Sequence, residues 1–200
     1  MTIACLDLEG VLVPEIWLAF AIETGIDELR VTTREEPDYD KLMRRRIQIL
    51  EREHLGLKEI QNTIAKVDIL PGSKEFLDEL RRRMQVIILS DTFSQFAGPL
   101  MQKLGMPTIF CNELVVDESG RITDYRMRVK ESKLATVRAL QSVGFETVAT
   151  GDSHNDIAML RASKKGFLFR STPAIEAENP DLPHYTEYAD LLSAFTEAAK

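Results

Sequence analysis

The feature that most constrains the fold is the alternation of short apolar runs with amphipathic stretches. Four runs rich in apolar and β-branched residues are predicted to be strands, at residues 3–8, 86–89, 147–150 and 166–169. Such near-continuous apolar runs are typical of strands that are buried on both faces of a parallel sheet. Because amphipathic segments separate these strands, we expect a doubly wound α/β core, with helices covering a parallel sheet.

The segments between the strands show helical spacing of their apolar residues. Three helix faces are predicted on this basis: Phe76, Leu77 and Leu80; Phe96, Leu100 and Leu104; and Leu134, Val137, Leu140 and Val143. The second of these helices is expected to end at Gly105 and the third before Gly144. Residues 114–127 are predicted to form a hairpin whose turn lies at residues 117–120.

One long segment, from about residue 14 to residue 68, interrupts this rhythm. It is charged and helical without a convincing strand, and residues 32–38 are predicted to be a loop between two of its helices. A helix starts again after Pro71 and Gly72. We therefore expect a core of residues 1–13 and 71–200, with residues 14–70 inserted after strand one as a small helical cap. Ligands of open α/β sheets bind beyond the carboxyl ends of the strands, so the cap is expected to cover the active site.

Composition excludes several classes of protein. The 200 residues include 25 basic and 32 acidic side chains, a net charge of -7, and this balance argues against a nucleic-acid partner. The longest apolar stretch, residues 10–22, is broken by Pro14 and Glu15, which argues against a membrane span. No secretory signal is visible, so we expect a cytoplasmic protein. Cys5 and Cys111 lack metal-ligand spacing and are predicted to be buried free thiols.

Carboxylates follow two of the predicted strands. Asp7 and Glu9 come after the first strand, and Asp152 and Asp156 come after the third of the four. Four carboxylates at one sheet edge would repel one another strongly unless a cation lay among them. Oxygen ligands without cysteine or paired histidines favour a hard ion, so the sequence predicts a Mg²⁺ site.

A phosphate site is predicted beside this metal site. Ser90 and Asp91 follow the second strand, and Lys133 could add a positive charge. The Ser90 hydroxyl and nearby backbone N–H groups are suited to phosphate oxygens. The sequence therefore combines a predicted metal site with a predicted phosphate site.

Two charged residues of the inserted segment are candidates for binding a zwitterion. Arg46 lies within the apolar stripe Leu42, Met43, Ile47 and Leu50 of a helix predicted at about residues 40–54. An arginine on an apolar stripe is costly unless it meets an anion, and its planar fork suits a carboxylate. Glu15 could receive an ammonium group. Together these residues would recognise an amino acid.

The order of these motifs resembles that of the haloacid dehalogenase superfamily of phosphatases and phosphotransferases, which has a Rossmann-like core. The resemblance implies that Asp7 is the nucleophile that becomes an aspartyl phosphate. It also implies that Glu9, in place of the family's usual aspartate, is the acid/base. The implied Mg²⁺ ligands are the Asp7 carboxylate, the Glu9 main-chain carbonyl and Asp152, while Asp156 joins through water or orients Lys133.

Within that superfamily the sequence most resembles the phosphoserine phosphatase branch. In that branch a glutamate shortly after the first motif and a cap arginine bind the substrate, which implies these roles for Glu15 and Arg46. Asn155 also matches the branch and is assigned to substrate binding. The match is close to the bacterial form that hydrolyses O-phospho-L-serine and also transfers its phosphoryl group to L-homoserine.

Several alternatives stay open from the sequence alone. Asp152 could simply be a helix N-cap, Arg46 could pair with Glu53 or another cap carboxylate, and Glu15 could simply be exposed. The substrate could be another small phosphomonoester, such as a sugar phosphate, and the chain could be a silent phosphate-binding module on this fold. The sequence does not indicate the physiological acceptor, nor whether the chain forms a homodimer.

Overall fold

The structure is a computed structural model that describes residues 1–32, 35–36 and 38–200. Seven strands lie in this described part, in chain order β1 Thr2–Leu6, β2 Gln85–Phe93, β3 Thr108–Val116, β4 Ile122–Arg126, β5 Glu146–Gly151, β6 Lys165–Phe169 and β7 His184–Tyr185. The α-helices described there are α1 Ile16–Thr24, α2 Tyr39–Arg52, α3 Leu57–Lys66, α4 Ser73–Arg83, α5 Ser94–Lys103, α6 Ser132–Ser142, α7 Ile157–Ala162, α8 Pro173–Glu178 and α9 Tyr188–Ala198.

The strands form one sheet in the order β4-β3-β2-β1-β5-β6-β7. All neighbouring strands are parallel except β3 and β4, which form the predicted antiparallel hairpin. The chain winds from β1 towards β2 and β3 on one side and reaches β5 and β6 on the other. The predicted doubly wound α/β fold is confirmed, and its topological switch point lies between β1 and β5.

Helices cover both faces of the sheet. The apolar side chains of the strands point alternately to the two faces and so contribute to two cores. One core joins β1 to α4, α5 and α9 through residues such as Leu77 and Phe195. The other joins β1 to α6, α7 and α8 through residues such as Val137 and Ile175. The central strand is therefore buried on both faces, as its continuous apolar run predicts.

Between β1 and α4 the described chain forms α1, a 3₁₀ turn at Asp27–Arg30, α2 and α3. Asp38 caps the first turn of α2 by accepting the Lys41 N–H at 3.1 Å. These helices share a hydrophobic core with the sheet, since the rings of Trp17 in α1 and Phe96 in α5 pack edge to face at 5.6 Å. No helix in the described ranges combines the length and apolar character that crossing a membrane requires.

Several details differ from the predictions. Val143 is 70% exposed, because α6 ends at Ser142 and the residue lies beyond the buried face. The predicted apolar stripe of α2 included Ile47, but Ile47 is only partly buried. Ile49 is buried instead, because the buried face follows the 3.6-residue period of the helix. Cys111 is a free thiol as predicted but is partly exposed, whereas Cys5 is buried.

The first half of β3 and the whole of β7 were not predicted from the sequence. The predicted loop at residues 32–38 precedes α2, but residues 33, 34 and 37 of that prediction lie outside the described residues.

Candidate active site

The predicted site residues meet at the carboxyl edge of the central strands. Asp7 directly follows β1, and its backbone N–H donates to the Thr150 carbonyl of β5 at 3.0 Å. Asp152 directly follows β5, while Ser90 lies within the neighbouring strand β2. Because these strands are adjacent and parallel, their ends bring residues distant in sequence to one edge.

A buried charge cluster forms the floor of the site. Lys133 Nζ lies 2.8 Å from Asp7 Oδ1 and 2.6 Å from Asp156 Oδ1, and all three side chains are buried. Burial and the Asp156 carboxylate hold the pKa of Asp7 well above its usual range. Burial alone would lower the pKa of Lys133, but Asp156 and Asp7 outweigh it and raise that pKa. The lysine is therefore kept charged between two carboxylates.

Asp7, Asp152 and Asp156 form a group suited to a cation. Each offers a carboxylate oxygen, and these atoms lie within 4.8 Å of one another. Oxygen donors at this spacing fit a hard divalent ion, which would also relieve the mutual repulsion of the carboxylates. The residues present thus fit the predicted Mg²⁺.

Two glycines let these carboxylates approach the backbone. Gly10 has φ +76°, and a Cβ there would meet the Asp152 carboxylate at 2.5 Å. A Cβ on Gly151 would meet the Asp156 side chain at 2.2 Å. Any side chain at these positions would displace a carboxylate of the cluster.

Asp156 organises the loop that follows β5. Its Oδ2 accepts the backbone N–H groups of Asp152 and Ser153, each at 3.1 Å, while its Oδ1 accepts from Lys133. Ser153, and not Asp152, is the N-cap of the short 3₁₀ turn His154–Asp156, so the alternative of Asp152 as an N-cap is wrong. His154 is exposed in this turn.

Glu9 lies apart from the three-carboxylate group, so the expected cluster of four carboxylates is wrong. Its Oε2 accepts the Ile16 backbone N–H at 3.0 Å, at the start of α1. Burial, and then the neighbouring Glu15, raises the pKa of Glu9 from 4.5 to about 8. The side chain of glutamate is one methylene longer than that of aspartate and reaches the inserted helix. A raised pKa suits a group that must donate a proton near neutral pH.

The segment Ser90–Asp91 is held from several sides. The buried Ser90 Oγ accepts the Thr92 N–H at 3.1 Å. The Asp91 carboxylate accepts from Ser132 Oγ at 3.1 Å and from Asn155 Nδ2 at 2.9 Å. These contacts fix the position of Ser90 and Asp91 within β2.

Arg46 is buried on α2. Its guanidinium lies over the Trp17 ring at 4.4 Å, and Nη2 donates to the Val31 carbonyl at 3.0 Å. Its Nε has no hydrogen-bond partner, and no ion pair of Arg46 is found among the described residues. Burial lowers its pKa to about 10. The predicted alternative partner, Glu53, pairs with Arg52 instead.

Glu15 is exposed at the start of α1, and its charge acts on both Glu9 and Arg46. The structure thus brings together a buried guanidinium and two acidic side chains at the boundary between the inserted helices and the sheet. Opposite charges at this boundary suit a ligand that carries both a carboxylate and an ammonium group.

Sequence reasoning missed four residues that hold the site together. The Arg46 guanidinium lies over the Trp17 ring. Ser132 and Asn112 donate hydrogen bonds to Asp91. The Tyr39 hydroxyl donates to the Asp91 carbonyl. Tyr39 alone carried a usable signal, because it stands seven residues before Arg46 and so lies on the same helix face.

A family model described as haloacid dehalogenase-like hydrolase matches residues 1–164. The chain belongs to this hydrolase family, as its fold and strand-end carboxylates indicate. A protein from Pseudomonas aeruginosa named phosphoserine phosphatase ThrH is 49% identical over 199 residues, covering 100% of this chain and 97% of that protein. A phosphoserine phosphatase from Pseudomonas syringae pv. tomato is 47% identical, covering 98% of this chain and 83% of that protein.

Solved structures agree with the fold. A substrate-bound phosphoserine phosphatase complex superposes with a TM-score of 0.78 at 22% identity, covering 96% of this chain and 97% of the other. A phospho-aspartyl intermediate analogue of phosphoserine phosphatase gives the same TM-score, identity and coverage. The chain is an enzyme of the phosphatase type within this hydrolase family.

Proposed function

We propose that the enzyme is a Mg²⁺-dependent phosphatase of O-phospho-L-serine that works through an aspartyl phosphate on Asp7. The names of the two Pseudomonas relatives support this substrate. The observation that carries the proposal is the buried Arg46, whose Nε lacks a partner and whose guanidinium has no carboxylate within ion-pairing distance in the described chain. A buried guanidinium without a counter-ion is costly, and a substrate carboxylate would remove that cost.

The metal would be held by the carboxylates of Asp7 and Asp152 and the main-chain carbonyl of Glu9, with Asp156 in a supporting position. When bound, Mg²⁺ would offset the repulsion between the incoming phosphate and the carboxylates. Asp156 also keeps Lys133 oriented towards Asp7 through its 2.6 Å contact.

In the first half-reaction an Asp7 carboxylate oxygen attacks phosphorus, and the bond from phosphorus to the serine oxygen breaks. We assign the proton that the leaving serine oxygen needs to Glu9, whose raised pKa favours the protonated form at neutral pH. Ser90, Lys133 and backbone donors beside Asp91 would hold the non-bridging oxygens. Catalysis in this arrangement is mostly positioning and electrostatic stabilisation.

In the second half-reaction Glu9 takes a proton from the acceptor, and the acceptor oxygen attacks phosphorus of the phospho-Asp7. Water as acceptor gives inorganic phosphate and frees Asp7. The hydroxyl of L-homoserine would give phosphohomoserine by the same exchange of bonds, and we propose it as a second acceptor. Glu9 lies against the start of α1, where the inserted helices can influence which acceptor reaches it.

Substrate choice is assigned to the inserted segment, which we propose is a cap of residues 14–70 on a core of residues 1–13 and 71–200. Arg46 would bind the carboxylate of phosphoserine and Glu15 its ammonium group. Asn155, which donates to Asp91 at 2.9 Å, would complete the site near the phosphate. An ester without an amino-acid group would leave Arg46 without an anion.

Phosphorus NMR tests the proposal. The protein is incubated with Mg²⁺ and O-phospho-L-serine, with and without L-homoserine. We expect inorganic phosphate in the first sample and an added phosphohomoserine signal in the second. Unchanged phosphoserine, alongside turnover of a sugar phosphate, would reject the substrate assignment.

A further inference from the structure

Two side chains of α2 face different parts of the site. Tyr39 is the first residue of this helix and Arg46 stands seven residues later. Seven residues are almost two full turns, so both side chains lie on one face, separated by about 10 Å along the helix axis. The helix therefore spans the site between these two residues.

Tyr39 connects the beginning of α2 to Ser90 and Asp91, the segment of β2 assigned to phosphate. Its hydroxyl donates to the main-chain carbonyl of Asp91 at 3.2 Å, and Asp91 directly follows Ser90. The same carbonyl accepts from Asn112 Nδ2 at 3.1 Å. The Tyr39 hydrogen bond thus joins the helix that contains Arg46 to the segment of β2 assigned to phosphate.

Tyr39 makes this connection through its hydroxyl, and its ring makes a separate contact. Its ring packs edge to face on Tyr125 at 5.9 Å, and the Tyr125 hydroxyl donates to Asp40 at 2.7 Å. At the other end of the face, the Arg46 guanidinium is fixed by Trp17 and the Val31 carbonyl. Removing the Tyr39 hydroxyl would keep its ring packing with Tyr125 and remove the hydrogen bond to Asp91.

We propose that Tyr39 is a positioning residue that sets the separation between Arg46 and the segment Ser90–Asp91 of β2, and thereby selects phosphorylated amino acids of one length. This inference rests on the proposed function, in which Arg46 binds the carboxylate and Ser90 and Lys133 bind the phosphate. A substrate that carries both groups must bind Arg46 and the phosphate-binding residues at once, whereas a simple phosphate ester needs only the phosphate-binding residues.

The test is Tyr39→Phe, assayed with O-phospho-L-serine and with phenyl phosphate. Losing one hydrogen bond that holds the two ends in register should raise KM for phosphoserine about fivefold. The kcat for phosphoserine and the KM for phenyl phosphate should each change by less than about twofold, because Ser90 and Asp91 keep their other contacts. Equal increases in KM for both substrates would overturn the proposal, as would an unchanged KM for phosphoserine.

Tyr125→Phe is the matched control, because it removes a hydroxyl that also connects α2 to the sheet, through β4, but does not bond to Ser90 or Asp91. It should leave both KM values within about twofold, since its partner Asp40 is exposed. An effect equal to that of Tyr39→Phe would show that any anchor of α2 suffices, which contradicts the specific role of Tyr39.

A double-mutant cycle with Arg46→Met tests whether Tyr39 affects KM for phosphoserine by positioning Arg46. If Tyr39 acts through Arg46, its substitution should change KM for phosphoserine by less than about twofold in the Arg46→Met background. A persisting fivefold effect would reject this route. A wild-type enzyme that hydrolyses phenyl phosphate but not phosphoserine would reject the proposed function itself, whereas normal phosphoserine turnover with additive variants would reject only the role of Tyr39.

Discussion

Replacing Arg46 with methionine should remove substrate recognition and leave the stability of the free enzyme almost unchanged. Replacing a buried charged residue usually lowers the free energy of unfolding strongly, because the partner of that residue is left unpaired. Arg46 differs, since it has no ion pair in the described part of the chain and is only 6% exposed. Methionine keeps an unbranched apolar stem that can still pack against Trp17.

The expected change in stability follows from opposing effects of similar size. Burial lowers the pKa of Arg46 from 12.5 to about 10, which corresponds to about 3 kcal/mol of disfavoured charge. Against this stand the contact with the Trp17 ring, worth about 1 kcal/mol, and the hydrogen bond to the Val31 carbonyl, worth about 1.5 kcal/mol. The free energy of unfolding should therefore change by less than about 1 kcal/mol.

The expected loss of binding is much larger. A charge-assisted pair between a guanidinium and a carboxylate in a buried site contributes about 3 kcal/mol, so KM for phosphoserine should rise about 100-fold. Phenyl phosphate, which lacks the carboxylate, should show a change of less than about threefold.

Urea unfolding and steady-state kinetics measure these two effects. Arg45→Met is the control, because Arg45 is exposed on the same helix, and it should change neither quantity appreciably. A fall of more than about 3 kcal/mol in the free energy of unfolding of Arg46→Met would show that Arg46 is chiefly structural. Equal loss of activity on both substrates would refute its role in recognition.

Three further perturbations test the electrostatics of the site. Lys133→Met should lower the free energy of unfolding in EDTA by about 3 kcal/mol, because two buried carboxylates lose their counter-charge. Added Mg²⁺ should recover part of this loss. A loss below about 1 kcal/mol in chemical denaturation would contradict the charge cluster. The pKa of Glu9 is raised to about 8 from 4.5, so its contribution to stability is full below pH 4.5 and is lost as the pH rises through 8. Glu9→Gln should therefore flatten the dependence of unfolding free energy on pH across that window, and parallel wild-type and variant curves would be the contrary result. Gly10→Ala should abolish Mg²⁺-dependent activity, because a Cβ would meet the Asp152 carboxylate at 2.5 Å. Calorimetric titration with Mg²⁺ should show weaker binding to this variant. Mg²⁺ affinity equal to that of the wild type would refute the prediction.

The parts of the fold that sequence could predict are those that local pattern controls. The central strands are buried on both faces, so their apolar runs are unambiguous, and the polar residues that follow them mark the sheet edge. In contrast, β3 alternates exposed and partly buried residues over its first half, and β7 has two residues. Neither gives a periodic signal long enough to distinguish a strand from a loop.

The parts of the site that sequence could not predict depend on the reach of single side chains. Glu9 was expected beside Asp7, but its longer side chain binds the Ile16 N–H of the inserted helix. The contact between Tyr39 and Asp91 joins residues 52 positions apart, across the boundary between the inserted helices and the sheet. Such contacts depend on how the inserted helices are placed, which neither composition nor periodicity determines.

The central claim is that the reaction passes through a phosphoryl group on Asp7, and rapid quenching followed by peptide mass spectrometry tests it most directly. The enzyme is mixed with Mg²⁺ and O-phospho-L-serine and quenched in acid during turnover. We expect a mass increase of one phosphoryl group on the peptide that contains Asp7, absent in an Asp7→Asn variant that keeps the wild-type circular dichroism spectrum. Sustained turnover by that variant, or a phosphoryl group trapped on another residue, would contradict the account.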